Sequence, residues 1–191
     1  MNTPAHLIIG AAAFARPDAW RVTAAALAGA LVPDLSLWLL SAHALYVQGI
    51  APRVVFDQLY FSESWQAVFR IDNAILLWGL LFGAGAWLRR DALTAFGGAG
   101  LLHVLTDLPL HHDDGRPHFW PFSDHVVRSP VSYWDDAHHA ALVGPVEGVL
   151  ALALCVLLWR RFRGAGARAL IALAALAEML PTLFWRLVFS A

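Results

Sequence analysis

His103 and Asp107 stand four residues apart in the run HVLTDLPLHHDD (103–114), so on a helix they share one face, where an imidazole nitrogen and a carboxylate oxygen could grip one cation. Four more residues of ligand type, His111, His112, Asp113 and Asp114, follow directly. Seven of the nine histidines and six of the eleven aspartates fall between His103 and His139, a crowding that ordinary surface polarity does not produce. Nitrogen and carboxylate donors without thiolate suit zinc, manganese or iron(II), with zinc first among them. An ion held by three such ligands with one position open lowers the pKa of its water to about 7 and polarises an ester or phosphoryl oxygen, which is hydrolytic chemistry.

The rest of the chain says where such a cluster sits. Hydrophobic residues make up 59% of the 191 and charged residues only 14%; the mean hydropathy is +0.59. This is the balance of an integral membrane protein, and its length suffices for about four to six helical crossings. We expect an all-α membrane bundle forming one domain over residues 1–191, with four to five spans. All thirteen basic residues are arginine and the net charge is -1, so nucleic-acid binding is not expected. Cys155 lies in the apolar run ALALCVLLW and reads as a small buried hydrophobe.

Thr3 as cap and Pro4 at the first position open a short helix running to about Ala15. The apolar stretch that follows Met1 has no positive leading region, so we read it as retained structure and not as a signal peptide. A second apolar segment, Val22 to Leu40, contains Pro33-Asp34, where the proline should kink the helix and free carbonyls. Residues 52–70 interleave aromatics such as Phe56, Tyr60, Trp65 and Phe69 with charges, a pattern expected of a helix lying in the interface. Further spans follow at Ile71–Leu88, Ala92–Leu110, Ala140–Trp159 and Ala167–Val188. Between Leu110 and the helix after Asp136, the polar, turn-rich loop 111–137 is expected to fold over the site.

If the helices alternate in direction, eight arginines collect on one side and five on the other, which makes the richer side cytoplasmic. Trp20, Trp87 and Trp159 then share that level, and Trp38, Trp65, Trp120, Trp134 and Trp185 the opposite one. The same threading places His6, Asp34, Asp72, His103, Asp107, His139, Glu147 and Glu178 together in the non-cytoplasmic half. Ionisable groups inside spans are costly and are kept for a site or a pathway, so one shared polar cavity is expected.

These residues also carry a resemblance. Thr3-Pro4-Ala5-His6, Pro33-Asp34, and GLLHVLTDLPL followed by HFWPFSD resemble the bacterial membrane-bound metal-dependent hydrolases of the YdjM type over about residues 1–125. The most specific part is His103-x-x-x-Asp107 with Trp120-Pro121-Phe122-Ser123. The resemblance implies a small bundle of membrane helices in the bacterial inner membrane and a divalent-metal site built from the early histidine, the Pro-Asp aspartate and the late His-x-x-x-Asp pair. Two positions depart from it: Ser36 stands where the family has a second acid, and Arg70-Ile71-Asp72-Asn73 where it has a histidine motif. His111-His112 and Asp113-Asp114 are the candidate substitutes.

The candidate metal ligands are thus His6, Asp34, His103, Asp107, His111, His112 and His139. Asp114 and Glu147 are candidate general bases, and Arg116 and Arg128 candidate holders of an anionic substrate. Plainer roles exist for each: hydrogen bonding between helices for His103, Asp107 and Glu147, repair of the proline kink for Asp34, a turn for Asp113-Asp114-Gly115, capping for Asp135 or Asp136, and solvated charge for the arginines. The leading expectation is a membrane-bound metal-dependent hydrolase of a phosphoester or lipid-like substrate. The alternatives are a metal-binding or metal-transport membrane protein without hydrolysis, and a structural assembly protein; membrane lipids are the expected surroundings in every case.

Overall fold

Pro4 pre-sets the first turn and the run AHLIIGAAAF holds no breaker, so helix α1 forms over Thr3–Phe14 and ends before Arg16-Pro17. At 12 residues it is about 18 Å long, too short for a crossing. It packs against α2 (Trp20–Ala42), α6 (Asp91–Asp107), α7 (Ala140–Arg161) and α8 (Ala165–Phe189), with Ala5, His6, Ile8 and Ala11 buried. α1 is therefore a central post, and its N-terminal end sits inside the bundle, short of one face. The computed structural model describes residues 1–189, with the side chains of residues 181–191, Trp185 among them, outside the described part; the described chain is helix and loop without a strand.

α2 continues through a π-helical turn at His43–Val47; two short turns, α3 (Pro52–Val54) and Val55–Leu59, lead into α4 (Glu63–Asp72), and α5 (Ile75–Trp87) follows after a break at Asn73-Ala74. Four helical stretches are long and apolar enough to cross a membrane: Trp20–Val47, Glu63–Trp87, Asp91–Leu110 and Ala140–Arg161. Their outer faces carry large exposed hydrophobics such as Leu80, Leu142 and Val149, as a lipid-facing surface requires. Their inner faces use small residues, since between helices in lipid close approach replaces the hydrophobic drive. At Gly29 a Cβ would overlap the Phe96 carbonyl of α6, and at Gly97 it would overlap the Phe82 backbone of α5.

The alternating threading holds. The arginine-rich ends meet at one level, where Arg16 pairs with Asp91 at 2.7 Å and Arg161 donates to the carbonyls of Ala12 and Ala15. Two local expectations need correction. Residues 52–70 are not one interfacial helix: Tyr60, Trp65 and Phe69 are buried in a small core with Ala44 and Val55, against the end of α2. Burial here outcompetes the interface because α4 runs on toward α5 as part of a crossing. Thr3 is the first helical residue and not the cap; its hydroxyl donates to Asp34 at 2.6 Å.

Candidate metal centre

Three helices bring the site together. α1 supplies His6, α2 supplies Asp34 just past its proline, and the last turn of α6 supplies His103 and Asp107; all four are buried. His6 Nε2 lies 3.0 Å from Asp107 Oδ1, and His103 Nε2 lies 3.5 Å from Asp107 Oδ2 and 3.7 Å from Asp34 Oδ1. The two imidazole rings stack, with centroids 3.5 Å apart and planes inclined by 9°. One donor atom each from His6, His103 and Asp107 fits within a sphere of mutual distances no greater than 4.8 Å, as ligands of a single ion require.

The hydrogen bonds fix which nitrogen faces the centre. His103 Nδ1 lies 2.7 Å from the Ala30 carbonyl, which can only accept, so Nδ1 carries the proton. In the neutral ring Nε2 then carries the lone pair; it is buried, without a hydrogen-bond partner, and faces two carboxylates. An acceptor aimed at acceptors costs free energy in a water-poor interior, and a cation between them removes that cost. His6 follows the same logic: Thr106 commits its hydroxyl proton to its own helix at the Leu102 carbonyl (2.8 Å), and so accepts from His6 Nδ1 at 3.4 Å. Both Nε2 atoms are thereby presented to Asp107. This arrangement of a histidine held through its far nitrogen is the one metal ligands use.

The covering loop closes the centre. Ser129 N–H donates to the His111 carbonyl, Tyr133 N–H to that of Leu110, and the Tyr60 hydroxyl to that of Asp114, so the loop is tied over the helices as the sequence suggested. His111 comes down from it, its Nε2 3.5 Å from Asp107 Oδ1 and its Nδ1 2.9 Å from Asp114 Oδ2. Burial alone would lower the His111 pKa, but the charge of Asp107 and hydrogen bonds to Asp107 and Asp114 hold it above the ordinary histidine value. For Asp114, burial is outweighed by hydrogen bonds from His111 and from the Trp134 indole (2.8 Å), and its carboxyl sits below the usual range.

Arg116 is not turned toward a substrate. It is buried, with Nη1 donating to the Pro33 carbonyl at 3.1 Å and to Asn73 Oδ1 at 2.9 Å, Nη2 3.5 Å from Asp34 Oδ1, and its guanidinium over the Phe69 ring. Burial opposes its charge, yet Tyr60, Asp34 and Asp107 hold its pKa above even the usual arginine value. Four other candidates are not brought to the cluster. His112 donates to the Ser129 carbonyl and stacks on His138 at 3.5 Å. His139 is exposed in a left-handed turn, φ 70°, just before α7, and Arg128 is exposed on the loop. Glu147 is buried but receives the Asn2 N–H at 2.6 Å instead of touching the histidines.

Asp113 is exposed beside His112, 3.6 Å from its Nε2. Asp135, and not Asp136, caps the turn before α7 by accepting from Ala137 N–H. Sequence reasoning missed Asn2, Thr3, Asn73 and Thr106, which orient the acids and histidines. Of these, Thr3, read only as a helix cap beside His6, and Thr106, three residues after His103 on the ligand-bearing helix, gave a signal. No family model, curated protein or solved structure matches the chain.

Proposed function

We propose that the chain is a membrane-embedded, metal-dependent hydrolase acting on a phosphoester or lipid-like substrate, of the kind its YdjM-like motifs suggest, in the bacterial inner membrane with the site toward the non-cytoplasmic side. The observation that supports it most is the buried Nε2 of His103, without a hydrogen-bond partner and facing Asp34 and Asp107 while Nδ1 is held by the Ala30 carbonyl. His6, His103 and Asp107 hold the ion, zinc by donor type, with Asp34 and His111 at its border. When bound there, such an ion would supply Lewis acidity for hydrolysis.

The protein's own residues divide the remaining work. Thr106 and the Ala30 carbonyl orient the two imidazoles, and Arg116 with Thr3 holds Asp34 in place. Asp114, a weak base with its carboxyl below the usual range, orients His111. Arg128, exposed on the covering loop, is where an anionic substrate group would be met. The test uses the zinc-loaded chain in detergent against a panel of phosphoesters and phospholipids. Turnover abolished by chelation, restored by zinc and absent in Asp107→Ala is expected. Metal bound without chelator-sensitive turnover across the panel would contradict hydrolysis and favour metal handling.

A further inference from the structure

At the arginine-rich end of the bundle, α7 and α8 leave a groove between them. Leu152, Val156 and Trp159 recur on α7 at four- and three-residue spacing, so they share one face and form one wall. Ile171, Ala172 and Ala175 of α8 form the other, and the two alanines are too small to fill the space. The groove has a volume of about 470 Å³, within the range of ligand sites, and Arg160 is its one charged lining residue. Between Glu147 and Glu178 the sequence holds Arg160, Arg161, Arg163 and Arg168 and no acid. Arg161 is committed to the carbonyls of Ala12 and Ala15. Arg168 is held beside the groove, its guanidinium 5.0 Å from the centroid of the Trp159 ring and its Nε donating to the Phe162 carbonyl at 3.3 Å. Among the described residues the arginine ion pairs lie elsewhere, at Arg16, Arg53, Arg70 and Arg116, so the charges of Arg160 and Arg168 are uncompensated.

We propose that this groove holds one acyl chain of an anionic phospholipid, whose phosphate is bound by Arg160 and Arg168. The ligand has the same division as the site, an apolar body joined to an anionic head, and basic pockets between membrane helices select such lipids. Guanidinium groups suit the head because their forked donors match phosphate oxygens. Trp159 lies at the level where chain gives way to headgroup, the place aromatic rings take at a membrane surface. His6 and the metal centre lie toward the opposite end of α1 from Ala12 and Ala15, so this lipid is a resident of the fold and not the substrate of that centre. The inference does not require that the metal centre hydrolyses anything.

The test is native mass spectrometry of the full chain in detergent, stripped of lipid and offered phosphatidylglycerol and phosphatidylcholine in equal amounts. One phosphatidylglycerol should be retained in preference to phosphatidylcholine. Arg160→Gln and Arg168→Gln should each weaken its retention by about fivefold or more. Arg21→Gln removes a charge at the same end, from a guanidinium that also lies over a tryptophan but away from the groove, and should leave retention unchanged. Ala175→Phe fills the groove with every arginine in place and should abolish retention, which headgroup binding alone would survive. Equal retention of the two lipids, an equal loss in Arg21→Gln, or full retention by Ala175→Phe overturns the proposal.

Discussion

His103 donates its Nδ1 proton to the carbonyl of Ala30, three residues before Pro33, at 2.7 Å. A proline inside a membrane helix disturbs the carbonyls of the preceding turn, and in lipid those groups need partners from within the protein. Pro33 in α2 and the orientation of His103 in α6 are therefore one arrangement: the helix gains a donor, and the imidazole gains a fixed orientation with Nε2 toward Asp34 and Asp107.

Arg116 should act as a structural tie of Asp34 and not as a substrate contact. Replacing it with methionine leaves Asp34 without its cation and strips donors from the Pro33 carbonyl and Asn73 Oδ1. A cost of about 3–5 kcal/mol is expected, read as a fall in thermal midpoint in detergent. Arg116→Lys should recover only part, since an ammonium lacks the fork that reaches separate partners. A variant of unchanged stability that fails only with anionic substrates would reverse this assignment.

Close helix approach predicts a contrast between two glycines. Gly29→Ala drives a Cβ into the Phe96 backbone, which cannot rotate away, whereas Gly79 has nothing within 4 Å of its added Cβ. The first substitution should cost about 1–3 kcal/mol by overpacking, and the second should be neutral or stabilising by up to about 1 kcal/mol. Thermal midpoints of the two variants, side by side, give the answer; equal effects would mean that the α2–α6 contact is looser than described.

His118 gives a pH dependence of definite sign. Its Nδ1 proton goes to the Asn73 carbonyl at 3.0 Å, and burial, the larger effect, lowers its pKa below the ordinary histidine value of about 6.5 despite that hydrogen bond. The unfolded ring therefore takes up a proton first as pH falls. Nothing is lost above 6.5, and stability declines from there down to the lower folded value. Between about pH 8 and pH 5 the wild type should lose more stability than His118→Gln. An identical pH slope in the two proteins would show that this histidine does not titrate with folding.

Much of this arrangement is legible in the sequence because helical periodicity and membrane length carry it. The four-residue spacing of His103 and Asp107 fixes their common face, and alternation of helices brings His6 and Asp34 to the same level before any contact is known. Tertiary partners from the loop are not legible in this way. Nothing local in Gly115-Arg116-Pro117 says that Arg116 turns inward to Asp34, because that depends on how a segment of irregular backbone settles over three helices. The same holds for His139 and His112, whose neighbours in sequence suggested ligands but whose backbone and hydrogen bonds turn them elsewhere. Burial of Tyr60, Trp65 and Phe69 was equally hidden, since an amphipathic pattern does not say whether its apolar side meets lipid or the end of α2.

The central claim is that His6, His103 and Asp107 hold a metal ion, and metal content of the detergent-purified chain tests it most directly. After dialysis against trace zinc, the wild type should retain one equivalent at the histidine cluster. His103→Ala and Asp107→Ala should lose it, with affinity falling by more than the roughly 10–100-fold typical of residues that merely orient a ligand. Wild-type protein that stays folded and retains no zinc, manganese or iron, or variants that retain as much metal as the wild type, would contradict it.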